Sequence, residues 1–97
     1  MFFRKTPPFE EVLQRLHTEL AYFNGIIGGW PTRIRNAQEG QEVKKRWDNS
    51  VSAAQALLKQ RPDSIDAKYV LADLLRMGHN IDVPGAAQSS NALLEAI

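Results

Sequence analysis

Apolar residues in this chain recur at intervals of three and four, and nowhere alternate with polar ones for long enough to mark a strand. The first stripe is Phe9, Leu13, Leu16, Leu20 and Phe23, with spacings of 4, 3, 4 and 3. It predicts a helix from near Thr6, a capping residue, to near Asn24-Gly25, with Pro7 and Pro8 in the first turn and Gly25 as the residue after the end. Glu10 and Glu11 then sit at the positive end of its dipole. A second stripe, Val43, Trp47, Val51, Ala54 and Leu58, with Leu57 on its flank, predicts a helix from about Asn36 to Gln60. Asn36 and Glu39 have capping-box spacing, with Thr32 as an alternative start, and Gly40 weakens the first turns.

Pro62 stops the second helix, and Asp63 or Ser64 caps a third that ends near Met77-Gly78. Its apolar positions are Ala67, Val70, Leu71, Leu74 and Leu75. A loop, His79-Asn80-Ile81-Asp82, leads to a predicted fourth helix capped by Asp82, with Pro84 in its first turn and Ala86, Ala87, Leu93, Leu94 and Ile97 inside. Between the first two helices, Asn24 to Thr32 is glycine-rich yet holds Ile26, Ile27 and Trp30. So apolar a connector is expected to pack back onto the helices, the alternative being a ligand-binding lid. The expectation is an all-α domain of four helices in two antiparallel hairpins.

Ala56-Leu57-Leu58 returns as Ala92-Leu93-Leu94, an offset of 36 residues, and small polar residues precede both copies. The stretch from Ala56 to Gly78 resembles a junction of the tetratricopeptide-repeat family. Pro62 matches that family's proline, Leu71-Ala72 its leucine and small-residue pair, and Gly78 lies close to its inter-helix glycine. Small residues there let paired helices approach closely. Lys68 departs from the pattern, standing where the family often has an aromatic, and the loop after Gly78 is about four residues longer than the family's. The resemblance covers residues 50–97 and fits 7–49 poorly. It implies a single domain over 1–97, with 1–49 an irregular leading hairpin segment, 50–97 a repeat-like unit, and the whole a fragment of a right-handed α-superhelix.

The resemblance also implies a function: binding a peptide or partner helix in a groove lined by the first helix of each hairpin. On the third helix the residues that would line it are Asp66, Tyr69, Asp73, Arg76 and Met77. They offer an aromatic with a hydroxyl, a planar set of donors and two acceptors. Asp73 and Tyr69 stand where the repeats that clamp a carboxylate carry lysine and asparagine, so that specialised role is not expected. About three repeats are usually needed for a stable solenoid. Hence either the chain is the N-terminal piece of a longer repeat protein, or it forms a homodimer through an apolar flank at Leu93, Leu94 and Ile97.

Composition changes this picture little. Hydrophobic residues make up 43% and charged residues 24%, ordinary for a soluble globular domain. Twelve basic and eleven acidic residues leave a net charge of +1, too balanced to direct the chain to nucleic acid or an anionic membrane. No cysteine is present, which removes disulfide and thiolate chemistry, and no apolar run is long enough to span a membrane; the expected location is the cytoplasm.

Candidate chemistry is sparse. His17 has no second histidine one turn away, and His79 sits in a loop, so neither suggests a metal site. Gly25, Gly28 and Gly29 are followed by Trp30-Pro31 and not by the Lys-Ser/Thr of a phosphate loop. The expectation is no enzyme and no cofactor. The competing reading is a four-helix bundle binding nucleic acid through Arg33, Arg35, Lys44, Lys45 and Arg46. Glu39, Glu42 and Asp48 are interspersed among these and blunt their attraction to phosphate.

Overall fold

The computed structural model describes residues 8–29 and 31–81, the side chain of His79 excepted. Three α-helices lie among them: α1 (Phe9–Ile27), α2 (Ala37–Gln60) and α3 (Ile65–Gly78), followed by a short 3-10 turn over His79–Ile81. The expected four helices in two hairpins are therefore corrected to three helices in one bundle, still all-α among the described residues. The expected fourth helix, with Leu93, Leu94 and Ile97, falls outside them, as do Thr6, Pro7 and Trp30.

Local chemistry accounts for most helix ends. At the start of α2, Asn36 accepts a hydrogen bond from the Glu39 amide at 2.8 Å. Glu39 reaches back in turn, its carboxylate accepting from the Arg35 amide at 2.8 Å, one residue earlier than a standard capping box. Between α2 and α3 the chain reverses in a turn closed by the Ser64 amide donating to the Arg61 carbonyl at 3.1 Å. Pro62 occupies the second position of that turn, where its fixed φ is already suitable. Ser64, rather than Asp63, then caps α3 by accepting from the Ala67 amide at 3.2 Å.

α1 runs past its expected end. Gly25 lies inside it, and Gly28, which follows it, has a right-handed φ of −73°. A helical glycine costs about 1 kcal/mol relative to alanine. Carrying the stripe one turn further buries Ile27 completely, worth roughly 2–3 kcal/mol, so the helix continues. Its last carbonyls find partners beyond it: the Arg33 amide donates to Ile26 at 2.8 Å, and the Asn80 side chain donates to Ile27 at 2.7 Å. Ile26 is half-buried and Ile34 also packs on the core, so the described part of the connector is held against the helices.

One hydrophobic core joins all three helices. The boundary expected at residue 49 falls within α2, and the core runs through it without a break. α1 contributes the expected stripe together with Val12 and Ile27. On α2 the roles of two leucines are exchanged: Leu57 is fully buried and Leu58 flanks it. The reason is that α2 packs against two helices at once, so its buried arc is wider than one stripe and takes in Ser50 as well.

Contacts at both ends set the directions. Phe9 and Leu13 of α1 lie beside Ile65 and Asp66 of α3, whereas Leu20 and Asn24 lie beside Asp73 and Met77. α1 and α3 are thus parallel. α2 runs antiparallel to both, with Arg61 at its C-terminal end paired to Glu10 and Trp47 in its first half packed on the last turn of α3.

Candidate functional site

α3 packs with Ala67, Val70, Leu71, Leu74 and Met77 inward, which leaves a face over Ile65, Tyr69 and Arg76 turned outward. The spacing of these three, 4 and 7 residues, places them on one side of the helix. Ile65 is 53% exposed and Tyr69 49%, and they are the large hydrophobic residues left open among the described ones. Asp66 and Asp73 stand beside them, toward α1.

Four of the five expected groove residues, Asp66, Tyr69, Asp73 and Arg76, are exposed and share this surface. Met77 does not belong to it: at 1% exposure it is core, closing the bottom of a small cleft between α1 and α3. Arg76 leans toward Asp73 at 3.9 Å, both side chains half exposed, an ion pair that solvent and salt weaken. Ile65 was missed because its position falls outside the inward stripe. It is the i−4 neighbour of Tyr69, and that spacing alone could have marked it.

At the end where α1 and α3 both begin, an open cleft has Phe9 and Leu13 as its floor and Ile65 at its lip. Glu10, Asp63 and Asp66 stand round it. Arg61 crosses from α2, donating to Glu10 at 3.1 Å with its guanidinium 4.2 Å above the centre of the Phe9 ring. A similar arrangement recurs mid-bundle. Arg46 of α2 donates to both oxygens of Glu19, at 2.8 and 2.6 Å, and stacks 3.7 Å above the Tyr22 ring. Its hydrogen bonds hold the Glu19 carboxyl below the usual glutamate range and, reciprocally, raise Arg46.

The basic residues of the competing reading are largely engaged. Arg46 is bound as described, Arg35 donates to Glu39 at 2.8 Å, and Lys44 donates to both oxygens of Asp48 at 2.9 Å. Arg33 and Lys45 have no ion-pair partner among the described residues, and they are separated along the chain by the first turns of α2. His17 is exposed on α1, and the described residues hold no cluster of three potential metal ligands. None of the described helices is long and apolar enough to cross a membrane.

The chain matches no protein-family model, no curated protein and no solved structure. The functional reading therefore rests on the surface just described and on the residues that carry the repeat resemblance.

Proposed function

We propose that the chain is a non-catalytic protein-interaction module that binds a peptide or partner helix along the outer face of α3 and the adjoining edge of α1. The observation that carries this reading is the pair Ile65 and Tyr69, exposed one turn apart and bordered by Asp66, Asp73 and Arg76. Exposed aromatic and aliphatic area with charged neighbours on a rigid helix is what a partner can bury. Two features favour the tetratricopeptide comparison as a guide to binding mode: α2 and α3 form a hairpin that turns at Pro62, and α1 and α3 run parallel with a separate cleft between them toward each end. The comparison is not extended to repeat number or superhelix. Nucleic-acid binding is disfavoured because Arg35, Lys44 and Arg46 already have carboxylate partners.

Partner capture by the intact chain, compared with Tyr69→Ala and Arg76→Glu variants, tests the surface. Both residues are exposed, so the variants should keep the helical circular dichroism of the parent while losing the captured proteins. Capture that survives both changes places the binding surface elsewhere.

A further inference from the structure

The cleft at the start of α1 and α3 has a chemistry that selects its occupant. Its volume is about 530 Å³, room for one or two side chains. The floor is apolar, with Phe9 at 6% and Leu13 at 7% exposure. Among the described residues, three carboxylates, Glu10, Asp63 and Asp66, border it, against the single guanidinium of Arg61. Arg61 is engaged by Glu10 and the Phe9 ring, so Asp63 and Asp66 have no ion-pair partner among the described residues. The positive ends of two parallel helix dipoles also point here. At roughly half a charge each, they offset about half of the remaining negative charge. The cleft is therefore acidic around an apolar floor.

We infer that this cleft accepts a protein segment carrying a leucine- or phenylalanine-sized side chain flanked by lysine or arginine. The apolar side chain would pack on exposed Ile65 at the lip and on the edges of Phe9 and Leu13 that Arg61 leaves open, and the flanking cations would pair with Asp63 and Asp66. Arg61 already shows the mode of attachment in place: a guanidinium over a ring while one of its donors reaches a carboxylate. A lysine or arginine from a partner can likewise lay its aliphatic stem on exposed Ile65 and keep its head on the aspartates. An acidic segment meets the Asp63 and Asp66 carboxylates and is rejected. This inference rests on the interaction-module reading and names the chemistry of the partner.

The test is fluorescence anisotropy of the full chain with two labelled 18-residue peptides. Both carry leucine at helical spacing, one with lysine at the flanking positions and the other with glutamate there. The lysine peptide should bind about tenfold more tightly at low salt, and the difference should shrink as salt is raised. Asp63→Asn with Asp66→Asn, near-isosteric changes at exposed positions, should remove most of that preference. Ile65→Asp should weaken the lysine peptide, and circular dichroism confirms that each variant is folded. Equal binding of the two peptides overturns the inference. So does a preference unchanged in the double asparagine variant, or no binding of the lysine peptide at all. In any of these cases the interaction-module reading still stands if partner capture remains sensitive to Tyr69 and Arg76.

Discussion

The two seams of α2 are held by different physics. Toward α1, the described contacts at the rim are two arginines, each laid on a ring and paired with a glutamate: Arg46 with Tyr22 and Glu19, Arg61 with Phe9 and Glu10. Toward α3, the contact is buried and shape-matched. The Trp47 indole N–H donates to the Leu74 carbonyl at 2.6 Å, and its ring fills the space left by the missing side chain of Gly78. A solvent-exposed latch is adjustable, because either partner can move and water replaces what is lost. A buried indole against a helix backbone has no such freedom. The α2–α3 seam should therefore carry more of the stability, and the α1–α2 seam should carry the dependence on salt and pH.

Breaking the buried seam should give the largest effect. Trp47→Ala removes a side chain 4% exposed, and with it the donor to Leu74. A loss of about 3–5 kcal/mol is expected, enough to unfold much of a small domain, read as the midpoint shift in urea denaturation. Gly78→Ala is the more pointed change. A Cβ at that position would lie 2.5 Å from Cζ2 of Trp47, so the indole must shift or the helices must part. Although alanine is the better helix former, a net loss of about 1–3 kcal/mol is expected. An increase in stability would show that the indole can move away, and that this seam is not the rigid one.

This seam was half legible in the sequence. The stripe containing Trp47 marked it as core, since spacing alone reveals which face of a helix turns inward. Its partner carbonyl lies 27 residues away, and no local pattern reports that. Gly78 resembles a family glycine near a helix end, and its position against Trp47 gives it a packing reason. The end of α1 was misplaced because Gly25 looks like a stop, whereas Ile27 has a core to enter. Local signals propose ends, and burial decides between them. On α3 the repeat resemblance named Asp66, Tyr69, Asp73 and Arg76, and all four are exposed. It could not tell that Met77, one residue on, turns under the surface toward α1, because that depends on where α1 lies.

At the other seam the effects should be smaller and should depend on conditions. Glu19→Gln leaves Arg46 half exposed without its carboxylate, and about 0.2–1 kcal/mol should be lost near neutral pH after allowing for screening. The sign with pH follows from linkage. The carboxyl's folded-state pKa is depressed, chiefly by its hydrogen bonds from Arg46, so the ion pair stabilises the fold above the ordinary glutamate value of 4.5. That contribution is lost as pH falls from there through the lowered value. The gap between parent and Glu19→Gln denaturation midpoints should therefore be widest near pH 7 and close in acid. A gap independent of pH would mean that Glu19 acts through packing and not through charge.

The smallest effect should come from Arg61. It uses the same two kinds of contact as Arg46, yet its glutamate is far more open: the Glu10 side chain is 74% exposed, against 19% for Glu19. Water competes for an open carboxylate, so Glu10→Gln should shift stability by no more than about 0.5 kcal/mol, and added salt should shrink even that. Arg61→Met, which keeps an apolar stem over Phe9, should cost equally little, whereas Arg61→Ala uncovers the ring and should cost more. If the ranking is reversed, with Glu10→Gln more damaging than Arg61→Ala, the rim at this end is held by charge. The cleft beside it keeps Asp63 and Asp66 as its remaining carboxylates under either ranking, so its selectivity is tested separately from this contact.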